Sequence, residues 1–213
     1  MKNFLVIGAG RFGRFVCQKL HEAGHQTMLV DKDETRVEKS LAYVTNAVIG
    51  NSTDREFLQS LGIQDFDACI VAIGDDFLGS LETTSLLEEL GAVKVIARAA
   101  SSTQEKFLLR NGADEVVFPE RQLGYWTAIR CSSDSITNFI ELGDGYSIFE
   151  IRLPAAWTGK SIRDLDVRRK YGVNILGVRN GKMAMDINGD TILNEGQTIL
   201  ILGETRNIQK RFL

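Results

Sequence analysis

Over the first 118 residues, strand-length apolar runs alternate six times with amphipathic segments, and that alternation leaves few folds open. The runs fall at 3–7, 26–31, 47–50, 68–73, 94–98 and 115–118. Helices are read between them at 11–23, 34–42, 77–90 and 103–110, with one more that Thr53 caps and that runs to Gly62. The runs read as continuous apolar stretches rather than alternating ones, as expected of strands buried on both faces. Short connections and right-handed crossovers then predict a doubly wound parallel sheet of about six strands with helices on both faces.

After Pro119 the pattern changes. A helix at 121–130 leads to short strands at 136–142, 147–153, 173–179, 182–185 and 197–202, with turns between them. Gly143-Asp144-Gly145 reads as one turn, and Asn180-Gly181 between two strand-like runs is a strong hairpin signal. A helix is expected at 161–171 and another at the C-terminus. The expected organisation is an α/β unit with a crossover helix at 1–136, then a small, mostly β, α+β domain at 137–213.

Composition excludes several classes. Of the 213 residues, 44% are apolar and 25% charged, values of an ordinary globular chain rather than a disordered one. A nucleic-acid binder needs a basic face; the net charge of −3 leaves room for a local basic patch, but none stands out. No run approaches the roughly 20 apolar residues of a membrane helix, so no direct membrane insertion is expected. Lys2 followed by the apolar residues 4–10 mimics the start of a signal peptide. The run stops at Arg11 with no A-x-A site after it, and it reads as a first strand. Cys17, Cys69 and Cys131 lack metal-site spacing, and His21 and His25 are the only histidines, so no Cys/His cluster is available.

The motif that carries chemistry is Gly8-Ala9-Gly10-Arg11-Phe12-Gly13, a G-x-G-x-x-G that follows a strand and opens a helix. Gly8 permits a tight turn, Gly10 lets a pyrophosphate approach the backbone, and Gly13 lets the helix pack on the sheet. The N–H groups at the helix start then face the anion. Asp31 ends the second run at the spacing expected of a ribose-binding acid, and its charge disfavours a 2′-phosphate. These features predict an adenine-nucleotide cleft. Arg11 departs from a plain dehydrogenase motif: its guanidinium adds a forked donor for terminal phosphates, against the alternative of a solvated side chain.

Other strand ends fall on the same sheet edge: Lys32 beside Asp31, Asn51 and Ser52 after the third strand, Ile73 and Gly74 after the fourth, Arg98 on the fifth, Glu120 after the sixth. Asn51 and Ser52 either border an adenine or only make a turn, and Asp75 and Asp76 either face the ligand or only cap the next helix.

The segment 4–13 (FLVIGAGRFG) resembles the start of the RCK (KTN) regulatory domains of potassium channels and transporters. So do Leu29-Val30-Asp31 and residues 47–51, 69–74 and 111–114. Residues 118–124 (FPERQLG) match that family's crossover, and 161–178, with Asp166 to Gly172, resemble its C-terminal domain. The chain carries one such unit, which is similar to the cytosolic regulatory subunits of bacterial Ktr uptake systems; Trk-type regulators usually carry two.

The resemblance implies a non-enzymatic regulator, cytoplasmic and peripheral to the membrane through an integral-membrane K+ (or Na+) translocating subunit. It implies dimers assembling into an octameric ring, with ATP and ADP, or NAD and NADH, competing for the cleft. By position, it gives the phosphate turn to Gly8, Gly10 and Gly13, the ribose to Asp31, the adenine border to Asn51 and Ser52, and the terminal phosphate to Arg11, across a dimer interface; Phe12 stands with them among the cofactor-binding residues. Glu120 would hold a divalent cation such as Mg2+ that bridges to the nucleotide; the alternative is a charged residue after a turn proline. Ile162 and Arg168 lie where the family binds cyclic di-AMP, although Arg168, Arg169 and Lys170 equally make a solvated helix face.

Two competing readings remain. An NAD-dependent oxidoreductase shares the fold and the glycine motif, but the second domain has no histidine and offers no ordered acid–base relay. A redox-sensing DNA regulator would need a helix-turn-helix and a basic surface.

Overall fold

The computed structural model describes residues 1–212. The chain folds as two compact units, Met1–Arg121 and Gln122–Leu213.

The first unit is a parallel sheet of six strands: β1 (Asn3–Ile7), β2 (Gln26–Asp31), β3 (Asn46–Ile49), β4 (Ala68–Val71), β5 (Val95–Arg98) and β6 (Glu115–Val117). The spatial order is β3-β2-β1-β4-β5-β6. The chain winds outward from β1 in one direction, then returns beside β1 and winds out in the other. The β1–β4 boundary is therefore the switch point at which loops part and a ligand cleft opens.

Its helices are α1 (Arg11–Glu22), α2 (Glu34–Glu38), α3 (Arg55–Ser60), α4 (Phe77–Glu89) and α5 (Ser102–Arg110); α6 (Pro119–Cys131) begins in this unit and continues into the second. Strand alternation splits the core in two. Leu5, Ile7, Cys69, Val71, Val95 and Ala97 pack on one face with Leu58, Leu87 and Leu108 from the helices. Val6, Leu29 and Ile70 pack on the other with Cys17 of α1. Burial pushes the thiols of Cys17 and Cys69 up to about 11 and about 12, so both are core residues rather than reactive ones.

Three local expectations are corrected. The helix after β3 is capped by Asp54, not Thr53: the Asp54 carboxylate accepts from Glu56 N–H at 2.9 Å and Phe57 N–H at 3.2 Å. The carboxylate competes for those donors better than a hydroxyl one residue earlier. The helix expected at 34–42 stops at Glu38, and a separate 3-10 turn covers Leu41–Tyr43. The helix expected at 161–171 is two, α7 (Ile162–Leu165) and α8 (Val167–Tyr171), parted by Asp166 in the left-handed conformation (φ 46°).

The second unit holds an antiparallel sheet of five strands in the order β10-β9-β11-β8-β7. These are β7 (Ile136–Gly143), β8 (Tyr146–Arg152), β9 (Val173–Asn180), β10 (Lys182–Ala184) and β11 (Thr198–Glu204), with α9 (Thr205–Phe212) following. The turn at Asp144 and the hairpin at Asn180-Gly181 join β7 to β8 and β9 to β10 as read from sequence. Phe149, Ile151, Leu193, Ile199, Ile201 and Ile208 form its core, against Trp157. A charged group is buried among the strands: the Glu150 carboxylate accepts from Arg179 Nε at 2.6 Å and Thr198 Oγ1 at 2.8 Å.

Candidate functional site: a cleft at the switch point

A cleft of about 580 Å³ opens at the C-terminal ends of the parallel strands. Its wall includes Gly8, Gly10, Arg11, Phe12, Asp31, Lys32, Asn51, Ser52, Ile73, Gly74, Arg98 and Glu120, so the first unit brings together all the nucleotide-site residues read from sequence except Gly13. Gly13 stands behind this wall, and Ile162 and Arg168 belong to the second unit.

The three glycines do different work. Gly8 has φ +106°, and a Cβ there would stand 3.0 Å from the Ala72 carbonyl carbon. A Cβ on Gly13 would overlap the Gly8 carbonyl oxygen. The fold itself therefore demands both. A Cβ on Gly10 would meet nothing within 4 Å, so packing within this chain does not require a glycine there. That open approach, in front of a helix start, is the room a pyrophosphate uses.

The start of α1 is also chemically free. Its N-cap, Gly10, supplies no side-chain hydrogen bond, and its first turn has no acidic residue. In contrast, α2, α3, α4 and α5 are capped by Asp33, Asp54, Asp76 and Ser101. The N–H groups opening α1 are thus left for an anion.

Asp31 sits beside this turn because β1 and β2 pair in parallel with Ile7 opposite Val30. It is 9% exposed. One carboxylate oxygen accepts from Ala9 N–H at 2.6 Å, and the other from Asp33 N–H at 2.9 Å. Each oxygen keeps a further lone pair for a ribose hydroxyl.

Arg11 is exposed at the rim, with no ion pair among the described residues. Arg98 Nη2 meets Glu120 at 2.5 Å, its guanidinium stands 5.9 Å from the Phe12 ring, and its Nε is buried without an acceptor. A Cβ on Gly74 would strike the Arg98 guanidinium, so this glycine makes room for that arginine. The Glu120 carboxyl is held below its ordinary 4.5 by its own backbone N–H, then by Arg98 and Arg11.

Turn chemistry accounts for part of the cleft. The Asn51 side-chain oxygen accepts from Thr53 N–H at 3.2 Å and Thr53 Oγ1 at 3.0 Å. The Ser52 hydroxyl is buried against Thr83 Oγ1 at 2.8 Å. Asp76 caps α4 through Gly79 N–H. In the second unit, Ile162 packs against the core, and exposed Arg168 donates from Nε to Asn174 Oδ1 at 2.6 Å. Among the described residues no group of three or more His, Cys, Asp or Glu side chains is placed to hold a metal ion. Glu120 brings one carboxylate, a donor set that suits a cation arriving on a phosphate rather than a resident metal.

One charged residue of the cleft wall escaped the sequence reading: Arg36, in the first turn of α2, lines the wall while its guanidinium pairs with Asp33 at 3.4 Å. Its signal was its place just beyond the β2 acid, where a helix returns past the same sheet edge.

The TrkA-N domain model matches residues 4–119, and the TrkA-C domain model matches residues 147–212. The chain belongs to the TrkA-N/TrkA-C family. This family member is 39% identical over 212 residues to the Ktr system potassium uptake protein A of Bacillus subtilis (strain 168), covering 99% of this chain and 95% of that one. It is 33% identical over 205 residues to the Ktr system potassium uptake protein A of Vibrio alginolyticus, covering 95% and 92%. Among solved structures, the GsuK channel bound to NAD superposes with a TM-score of 0.69 at 20% identity. That match covers 97% of this chain and 38% of the channel chain, so this chain spans well under half of that protein. GsuK bound to ADP matches with a TM-score of 0.53 at 20% identity, over 63% of this chain and 36% of that one. Both likenesses bear on the fold. Among the described residues no helix is long and apolar enough to cross a membrane.

Proposed function

We propose that this chain is the cytosolic regulatory subunit of a K+ (or Na+-coupled K+) uptake system, and that it binds ATP and ADP, or alternatively NAD and NADH, in the switch-point cleft. The observation that carries this reading is the uncapped start of α1 behind an open Gly10, facing the Asp31 carboxylate. Family membership and the potassium uptake proteins among the relatives supply the transport context. The GsuK structures bound to NAD and to ADP support a nucleotide as the ligand.

Within this reading, Gly8, Gly10 and Gly13 shape the phosphate turn, Asp31 seats the ribose, and Asn51 and Ser52 border the adenine. Arg11, exposed and free of ion pairs among the described residues, takes the terminal phosphate, where the charge difference between ATP and ADP lies. Glu120 holds a phosphate-borne cation such as Mg2+. The working assembly is a homodimer that builds an octameric ring beneath an integral-membrane translocating subunit, and cyclic di-AMP is the candidate second ligand at Ile162 and Arg168.

A nucleotide gates such a ring only through unequal affinity for its states. A tenfold difference supplies about 1.4 kcal/mol per site, and coupled copies multiply it.

The test is titration calorimetry of ATP, ADP, NAD and NADH on the wild type and on Arg11→Ala, with mass in solution measured alongside. Saturable binding of an adenine nucleotide is expected, with Arg11→Ala erasing the preference between ATP and ADP. An Arg11→Ala protein that still separates the two nucleotides removes Arg11 from this role.

A further inference from the structure

Arg98 is under-satisfied where it stands. A guanidinium presents five N–H donors in a fixed fork. Here one branch, Nη2, reaches Glu120 at 2.5 Å, Nε–H is buried with no acceptor, and Nη1 lies against Gly74. The side chain is only 21% exposed, so water does little to make up the difference. An arginine so enclosed calls for more than one anion.

Its position says where the other anion comes from. The guanidinium stands 5.9 Å from the ring of Phe12, in the first turn of α1, whose N–H groups lack a side-chain cap. Its partner, Glu120, lies in the first turn of α6. One cation thus lies between the phosphate-facing start of one helix and a carboxylate at the start of another. Gly74 is the sequence device that admits it, because any side chain there would displace the guanidinium.

We propose that Arg98 is a shared cation for which Glu120 and a ligand phosphate compete, so that phosphate binding weakens the Arg98–Glu120 pair and releases the first turn of α6. The inference rests on the phosphate reading of the cleft and adds to it a route by which occupancy is signalled. Linkage makes the antagonism mutual: whatever strengthens the pair weakens phosphate binding by the same factor. The helix so released runs on to supply Trp126 and Ile129 to the core of the second unit.

The experiment is a double-mutant cycle. Calorimetric affinities for ADP and for adenosine are measured, in EDTA, on the wild type, R98Q, E120Q and the double variant. EDTA removes any cation that would bridge Glu120 to the nucleotide. The wild type is expected to prefer ADP to adenosine. E120Q is expected to bind ADP two- to fivefold more tightly, the size of effect of one partly exposed charge pair. R98Q is expected to bind ADP about tenfold more weakly, as for the loss of one charge-assisted hydrogen bond. The E120Q gain is expected to vanish in the R98Q background, and adenosine is expected to bind all four proteins alike.

If E120Q leaves ADP affinity unchanged or weakens it, the competition is absent and the proposal is overturned. If the E120Q gain survives without Arg98, Glu120 merely repels the phosphate, and the proposal is again overturned. If the wild type binds adenosine and ADP equally, the phosphate reading itself fails. Glu120 is 57% exposed, so E120Q is expected to fold and reads the first of these outcomes on its own; should R98Q fail to fold, R98M, which keeps the apolar stem and removes the charge, takes its place in the cycle.

Discussion

The carboxylate of Asp31 accepts a 2.6 Å hydrogen bond from the backbone N–H of Ala9, in the middle of the glycine turn. The acid proposed to hold a sugar is therefore also a strut of the glycine turn. Asp31→Asn keeps the shape but leaves one oxygen for the two backbone donors the carboxylate now serves. Folding stability is expected to fall by about 1–2 kcal/mol and ADP affinity by about tenfold, both from the loss of charge-assisted hydrogen bonds. Urea unfolding and calorimetry check the two effects separately.

Gly10 and Gly13 are expected to fail in opposite ways. The Cβ of Gly13→Ala would collide with the carbonyl oxygen of Gly8, a backbone atom with little freedom to retreat. That substitution should cost about 2–3 kcal/mol of stability, as overpacking does. Gly10→Ala meets open space, so its stability cost should stay under about 1 kcal/mol, the size of an N-cap change. Its effect should appear instead in ADP affinity, weakened at least about tenfold as the methyl enters the phosphate position. The pair of urea midpoints, set beside the pair of affinities, checks this division.

Glu150 makes the second unit sensitive to acid. Burial alone would raise its carboxyl, but the bonds from Arg179 and Thr198 outweigh that and hold it below the ordinary 4.5. A group with a depressed folded value contributes stability that is full above 4.5 and lost as pH falls through that folded value. Glu150→Gln is expected to cost about 1–2 kcal/mol at pH 7, from the loss of a buried charge-assisted hydrogen bond. It should also flatten the pH dependence below 4.5. Tryptophan fluorescence reports this unfolding directly, since Trp126 and Trp157 both pack in the core of the second unit.

The parallel sheet was readable because two-sided burial forces continuous apolar runs such as 68–73, and the glycine turn because Gly8 and Gly13 answer to backbone collisions rather than to taste. The details that escaped depend on neighbours distant in sequence, or on competition between adjacent caps. Asp54 displaced Thr53 as the helix cap because a carboxylate reached two N–H groups. Asp166 split one helix into two by adopting a positive φ that no periodicity reveals. Arg36 entered the cleft wall only once β2 and α2 were folded against each other. The tie between Arg98 and Glu120 joins the end of one strand to the start of a helix beyond the next strand, a separation that local pattern does not span.

The cations of the cleft come from scattered places. Arg11 follows β1, Lys32 and Arg36 follow β2, and Arg98 ends β5, while β1 and β4 lie between β2 and β5 in the sheet. A polyphosphate gripped by all of them would act as a tie-rod across the seam where the two halves of the winding part. Stiffening would then spread to strands the ligand never touches, and the mechanical coherence of the whole rim would depend on how many phosphoryl groups the guest carries.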